Sequence, residues 1–527
     1  MDHSKMAHYM TDDGIVMVMS GIPGWMFGLA IGLVILLSFV ITEVRTPALS
    51  GVSRSISLTQ KKWVHRLIRK RGFQFAFQAP ILVAFLFISY AGLFGSYAKN
   101  ITPAAVWTIW WAGLIVAVAI FGNLWCFVCP WDALANLVSR LSFWKRTESL
   151  SLNLKLPKAL RNLYPAMVLF IGMTWLELGW GITNNPRQTA TFGLVMAGGA
   201  VVMALLFERK AFCAHFCLVG RVSGMYSNVS PFEIRPRDAR VCGVCTTRDC
   251  LTGNDKGFAC PTNIDLGKLD TNSNCTLCTE CFKSCPTLVP HVRMRAPGHD
   301  LSRRAVPQRD EAWFALVLLS LTGFHGLSMT PAWQNFKPGT TDIVSTLQSV
   351  LHISELAAFS IGMVVVMIVP IVAYGLSIWA ASAWVRDTKV GFWTLFDAYA
   401  WSVLPVALFY HLAHNAMHLL MEGQDIVPLL SDPLGHGTDW FGTAKMHLDP
   451  IAGEGTVWVI QVVLIVIGHL FGVVVAHRIS RKLFADSEVG RKAATKSLVP
   501  TLIMMVLLSI AGLWLMHLDM NMRMGRM

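Results

Sequence analysis

Apolar residues along this 527-residue chain come in blocks of about twenty, separated by short polar stretches. A helix needs about 20 mostly apolar residues to cross the hydrocarbon core of a bilayer. Ten blocks approach or meet that length: Gly24–Ile41, Phe73–Phe94, Pro103–Trp125, Leu160–Trp180, Thr189–Phe207, Ala312–Met329, Leu356–Trp384, Ala398–Met421, Thr456–His477 and Leu498–His517. No water satisfies the backbone inside lipid, so each block is expected to be an α-helix, which closes its own hydrogen bonds. Residues 230–310 break the pattern, being polar and rich in Cys, Pro and Gly.

Charge orients the blocks. The loop after the first holds Arg45, Arg54, Lys61, Lys62, Arg66, Arg69, Lys70 and Arg71, whereas the loop after the second holds only Lys99. Arg140, Lys145, Arg146, Lys155 and Lys158 follow the third block, and only Arg187 follows the fourth. After the eighth, Lys445 stands against Glu422, Asp425, Asp432, Asp439, Asp449 and Glu454. Arg478, Arg481, Lys482, Arg491, Lys492 and Lys496 return after the ninth. The positive-inside rule then predicts a multi-pass membrane protein with both termini on the outer side and residues 230–310 cytoplasmic. Asp2, Asp12 and Asp13 against Lys5 give no basic n-region, so the first block reads as a retained anchor and not a cleaved signal.

Composition agrees. The chain is 54% hydrophobic and only 14% charged, against about 25% charged in soluble proteins. This excludes a soluble enzyme, a disordered chain and a nucleic-acid binder. The net charge of +13 is largely that of the Lys/Arg-rich loops. Many of the 19 Trp lie near block ends, as interfacial anchors do.

Eight of the twelve cysteines fall in the polar stretch. Cys275, Cys278, Cys281 and Cys285-Pro286 have the bacterial ferredoxin spacing, in which the fourth Cys ligates the other cluster. Cys242, Cys245, Cys250 and Cys260-Pro261 form a second run with longer gaps. Three thiolates of one tight loop cap three corners of a cubane, and the fourth comes from elsewhere. By that exchange one [4Fe–4S] cluster takes Cys275, Cys278, Cys281 and Cys260, and the other takes Cys242, Cys245, Cys250 and Cys285. A cytoplasmic location disfavours disulfides, and zinc knuckles do not require two interleaved sets ending in Cys-Pro. The remaining cysteines form two pairs at helix ends on the same side: Cys126 and Cys129, followed by Pro130, and Cys213 and Cys217, followed by Leu218.

These motifs resemble the membrane polyferredoxin family typified by NapH, NosR and CcoG, over roughly residues 73–297. The resemblance implies a helical membrane core, paired Cys motifs at cytoplasmic helix ends and a two-cluster ferredoxin module. Two departures stand out. The first pair has two intervening residues where the family has three, and Leu218 replaces a Pro. The two pairs are open to three readings: a third cluster, redox-active or metal-relaying thiols, or buried free thiols that pack as small hydrophobes.

The expected fold is an all-α polytopic membrane protein of about ten transmembrane helices with a small α+β ferredoxin insert. It divides into a membrane domain of five helices (1–229), a ferredoxin domain (230–310) and a second five-helix membrane domain (311–527).

The last five blocks lie outside the resemblance and carry histidines. His411, His414 and His418 share one helix face, and His469 lies on the next helix. Intramembrane ionisable residues are functional candidates. The depths of His411 and His469 suggest a b-type haem clamped between them, with His414 as the alternative ligand. Quinone binding, a proton path and plain interhelical hydrogen bonding are the competing uses. His418, His517, Met520 and Met522 are candidate copper ligands on the outer side, thioether and imidazole suiting Cu(I).

The first functional expectation is an inner-membrane iron–sulfur protein passing electrons between a cytoplasmic or quinone pool and a periplasmic or membrane redox partner. The alternative is reduction or delivery of copper for metalloenzyme assembly. A transporter or scaffold with regulatory clusters is a third class, for which the chain shows no paired broken helices.

Overall fold

The structure, a computed structural model, describes residues 7–11, 14–43, 55–143, 149–303, 307–335, 340–484 and 487–524. Among the described residues nine helices are long and apolar enough to cross a membrane: α1 (Gly24–Glu43), α2 (Phe73–Phe94), α3 (Ile101–Phe121), α6 (Pro186–Leu206), α8 (Arg309–Ser328), α9 (Glu355–Trp384), α10 (Phe392–Met421), α11 (Glu454–Leu483) and α12 (Glu488–His517). The remaining expected span is the shorter apolar helix α5 (Tyr164–Leu178). Two further helices, α4 (Pro130–Arg140) and α7 (Leu218–Tyr226), follow the cysteine pairs.

Local chemistry sets the helix starts. Ser354 and Ser487 cap α9 and α12 by accepting from the N–H groups of Ala357 and Gly490. Gln308 and Glu311 form a reciprocal capping box at α8. Asn185 caps α6, whose first residue is Pro186. The third expected span ends earlier than its hydropathy suggests, at Phe121 and not Trp125. There Gly122 turns the chain with φ +67°, a conformation that favours glycine. Cys126 therefore sits on a separate short helical turn, Leu124–Val128.

Helices α8 and α10 form the centre of the bundle, with 72% and 78% of their apolar stretches buried, against 22% for α1 and 28% for α9. Being surrounded by protein, they carry buried polar side chains such as His325 on α8 and His411 and Asn415 on α10. Helix α10 packs on α8, α11 and α3, and α1 lies across α11 and α12.

Two small sheets complete the fold. Strands β1 (Ala7–Thr11), β2 (Gly14–Met19) and β6 (Met520–Met524) form an antiparallel sheet joining the two ends of the described chain. In the polar insert, β4 (Phe232–Pro236) pairs with β5 (Pro290–Met294), and β5 pairs on its other edge with β3 (Ile56–Ser57) from the loop after α1. His291 Nδ1 fixes that addition, lying 2.9 Å from Ser57 Oγ and 3.2 Å from Thr59 Oγ1. Beneath the sheet, Glu233 bridges Arg293 at 2.5 Å and Arg295 at 3.0 Å, and Asp300 pairs with Arg235 at 3.2 Å and with Arg295. The molecule is an all-α polytopic membrane protein with a small ferredoxin-like insert.

Candidate iron–sulfur and histidine sites

The two cysteine pairs, separated by more than eighty residues in sequence, meet at the insert end of the bundle. Cys126 has Cys217 and Cys213 as electrostatic neighbours, and Cys129 has Cys217, Cys126 and Cys213. Gly220 closes the gap between the pairs, since a Cβ there would lie 3.3 Å from Cys126 Sγ and 3.4 Å from Cys217 Sγ. The second cysteine of each pair is a helix N-cap: Cys129 precedes α4 and Cys217 precedes α7. Cys217 Sγ accepts the Gly220 N–H at 3.3 Å. Pro130 and Leu218 thus occupy the same first helical position, where proline only presets φ. The missing proline leaves the local geometry of the second pair intact.

Charge at this site fits an anionic group. Arg221 is 1% exposed. Its Nε and Nη2 have no hydrogen-bond partner, and it lies within electrostatic reach of Cys126, Cys213 and Cys217. An unpaired buried charge is strongly destabilising, typically by several kcal/mol. A cubane held by four thiolates carries net negative charge and would compensate it. Asp132, the nearby carboxylate, is already held by Lys210 and accepts from Gln78 Nε2 at 3.1 Å. Without a metal, burial pushes the thiol of Cys126 up, and the neighbouring Cys217 adds to this.

The eight insert cysteines fall into two neighbourhoods. Cys242 has Cys250, Cys285 and Cys245 around it. Cys275 and Cys278 each have Cys260, and Cys281 has Cys278, Cys275 and Cys260, with Cys250 of the other set beyond them. Backbone N–H groups point at the sulfurs. Ile264 donates to Cys260 at 3.3 Å, and Leu266, Leu277 and Glu280 donate to Cys250, Cys275 and Cys278. Such hydrogen bonds tune cluster potential. Burial pushes the Cys275 thiol up to about 11.

The second neighbourhood is bolted to the membrane site. Asn123 Nδ2 donates to the carbonyl of Cys275 at 3.1 Å. Arg221 Nη1 donates to Asn274 Oδ1 at 2.7 Å and to Ser273 O at 3.4 Å. Asn228 Nδ2 donates to Ser273 Oγ at 2.9 Å. In sequence Gly220-Arg221 stands out just after the second pair but carries no assigned role, and neither Asn123 nor Asn228 is marked by any motif.

The histidines arrange themselves differently from the expected haem clamp. His469 Nε2 lies 2.7 Å from Ser38 Oγ on α1, and its Nδ1 lies 2.8 Å from Ser509 Oγ on α12. Both ring nitrogens are engaged, so neither is free for an iron. His411 faces the other way, with Nδ1 3.1 Å from Tyr226 Oη and its ring edge-on to Trp111. The structure does not bring His411 and His469 together, and the shared haem is set aside. His411 and His414 join instead with His325 of α8, a residue outside the expected haem set.

The candidate copper ligands also part company. His418 Nδ1 lies 3.1 Å from Glu422 Oε2. His517 donates from Nδ1 to the carbonyl of Ile22 at 2.7 Å and stacks on Phe27. Met520 is buried in an apolar cluster with Met19 and Met516. Met522 has a described register position, opposite Met17, which in turn is opposite His8; its side chain lies outside the described residues. Among the described residues no three His, Cys, Asp or Glu side chains are placed to share one metal ion.

Comparison with known proteins bears on the membrane cysteines first. The 4Fe-4S binding domain family matches twice, over residues 103–148 and 189–234. One segment contains Cys126 and Cys129, and the other contains Cys213 and Cys217. The eight insert cysteines lie outside both. YccM of Escherichia coli (strain K12), a protein proposed to act in electron transport, is 36% identical over 88 residues. That stretch is 16% of this chain and 22% of the relative, so the chain spans about a fifth of that protein's length. No solved structure matches. Fold and matched segments together define a polytopic membrane protein with 4Fe–4S binding segments at its paired cysteines. The two matched segments, both within residues 73–297, support the resemblance to the membrane polyferredoxins.

Proposed function

We propose that the chain conducts electrons through three [4Fe–4S] clusters. One is held by Cys242, Cys245, Cys250 and Cys285, the next by Cys260, Cys275, Cys278 and Cys281, and the third by Cys126, Cys129, Cys213 and Cys217. The iron supplies one-electron chemistry; the chain sets position and potential. The first set is the entry point for a cytoplasmic donor, because it lies beside surface residues such as Val244, which is 80% exposed. The second hands on to the membrane site across the Asn274–Arg221 contact. From there electrons pass to a quinone or to a periplasmic or membrane redox protein of a bacterial inner membrane, with residues 230–310 on the cytoplasmic side.

One observation carries this reading: Arg221 is buried with two unpaired donors beside four converging cysteines. Iron and sulfide analysis of the anaerobically purified protein tests it. About twelve irons per chain supports the three clusters. Eight irons sinks the membrane cluster and leaves the two in the insert.

Copper handling is a second reading, and the β1–β2–β6 sheet favours it. The register places His8, Met17 and Met522 in one row across three strands drawn from both ends of the chain. Cu(I) titration of the full chain tests it, and no tight binding sinks it.

A further inference from the structure

Ionisable side chains from α5, α7, α8 and α10 line up away from the membrane cysteines. Tyr226, the last residue of α7, has its hydroxyl 3.1 Å from His411 Nδ1. The rings of His411 and His325 are 6.3 Å apart, those of His325 and His414 5.3 Å, and those of His414 and His418 4.9 Å. His418 meets Glu422 at 3.1 Å, at the end of α10. Glu177 of α5 flanks the row, 3.8 Å from His325 Nε2, and its buried Oε2 has no hydrogen-bond partner. Asp425 and His447 lie beyond Glu422.

Exposure rises along this row. His411 is 3% exposed and His325 7%, whereas His418 and Glu422 are 27% and 23% exposed. The row is therefore sealed at the Tyr226 end and open to solvent at the Glu422 end. Imidazole both donates and accepts a proton, which makes it a relay group. Ring rotation or a bridging water spans separations of this size. Apolar helices have no need of four clustered histidines and two carboxylates, and such groups inside a membrane mark ion and proton pathways.

We propose that Glu422, His418, His414, His325 and His411, with Glu177 alongside, form a proton path that ends at Tyr226. It delivers charge-compensating protons to the membrane cluster and rests on the three-cluster reading. The two ends are linked by α7, whose nine residues run from the Cys217 cap to Tyr226, a distance of about 13 Å. An electron passes from a reduced cluster of the insert to the membrane cluster and adds one negative charge. One proton from water enters at the Glu422 carboxylate. It moves inward by hops in which one N–H bond breaks as the next forms, and it comes to rest at His411. Oxidation of the cluster by its acceptor, a quinone or redox protein, carries the electron onward, and the proton returns to water along the same path. At about 13 Å and an effective dielectric of about 20, the added charge holds that proton roughly tenfold more tightly.

The test is proton uptake by the full-length protein in detergent on photochemical reduction, read with a pH indicator, with iron counted on the same samples. The expected result is uptake by the wild type that falls severalfold in His411→Phe and His414→Phe at unchanged iron content. Glu422→Gln, at the exposed end, tests the same path with little risk to folding and is expected to slow uptake. Unchanged uptake in all three variants overturns the path. In a wild type with about twelve irons, uptake that survives Cys217→Ser overturns it too, because the protons then belong to the insert. A wild type with eight irons removes the membrane cluster on its own evidence. Uptake that still depends on His411 and His414 then upholds the path with the insert clusters as its electron source, and absence of uptake overturns it. Stoichiometric binding of Zn2+ that is lost in His414→Phe also overturns the path, replacing it with a metal site.

Discussion

Arg221 Nη1 donates to Asn274 Oδ1 at 2.7 Å, one residue before Cys275. A single guanidinium thus touches the loop of one proposed cluster and faces the thiols of another. Arg221→Met removes the cation and keeps much of the bulk. Hydrogen bonds to charged groups are worth about 1.5–3 kcal/mol. The variant is expected to lose about four irons, or to keep them with a lowered midpoint potential for the membrane cluster. Arg221→Lys restores the charge and part of the effect. An unchanged iron count and redox titration would sink the charge-compensation role.

The exchange of fourth ligands makes a second prediction. Cys278→Ser removes the cluster that shares Cys260, and Cys242→Ser removes the one that shares Cys285. Each single variant is expected to lose about four irons, and the double variant about eight. Cys285→Ser distinguishes the exchange from consecutive ligation. It should abolish the same EPR signal as Cys242→Ser, and loss of the Cys278 signal instead would refute the assignment.

His469 is expected to be structural. Its two serine contacts tie α11 to α1 and to α12. Leaving buried polar groups unpaired costs about 1–3 kcal/mol each. His469→Ala should lower the thermal midpoint in detergent while iron content and optical spectra stay as in the wild type. A b-type Soret band that disappears with His469 would restore the haem clamp.

Much of the fold was legible because the bilayer imposes a length and the loops carry charge. The span ends were less so: hydropathy cannot see that Gly122 turns the chain before Trp125. The insert cysteines were legible from spacing. The convergence of Cys126 and Cys129 with Cys213 and Cys217 is a packing result, visible in sequence only through the family resemblance. Histidine depth along a helix was a fair guide, but depth does not give azimuth. His411 and His469 lie on adjacent helices and face different partners, and only packing reveals that. β3 in the loop after α1 is two residues long and carries no pattern of its own.

The insert should be acid-sensitive through Glu233. Burial alone would raise this carboxyl, but Arg235, Arg295 and Arg293 outweigh it and hold the group below the usual carboxylate range. A depressed native value means the contribution is fully present above the unfolded carboxylate range and is lost as pH falls through the native value. Glu233→Gln removes one partner of a buried network, a change of about 3–5 kcal/mol. Thermal melts of the wild type should lose stability below about pH 4. The variant should start lower and show a flatter pH dependence, and parallel curves would rule out this role for Glu233.

Gly224 offers the sharpest test of the contact between α7 and the insert. A Cβ at this position would lie 2.2 Å from Ser273 O. That atom is backbone, so no side-chain rotation relieves the clash, and the loop from Asn272 to Cys275 must move. The same loop receives the Arg221, Asn123 and Asn228 hydrogen bonds. Gly224→Ala is therefore expected to push the second insert cluster away from the membrane site without altering a single ligand. Iron content should stay near the wild-type value, and the insert clusters should still reduce with a soluble donor. Electron transfer from the insert to the membrane cluster, followed by stopped-flow optical or freeze-quench EPR spectroscopy, should slow by at least tenfold. Gly220→Ala is the companion variant. Its Cβ would stand 3.3 and 3.4 Å from the sulfurs of Cys126 and Cys217, so those sulfurs must give by a few tenths of an ångström and the membrane cluster should be held less tightly. The two variants thus separate holding a cluster from reaching it. If Gly224→Ala transfers electrons at the wild-type rate, the contact between α7 and the insert is not the route.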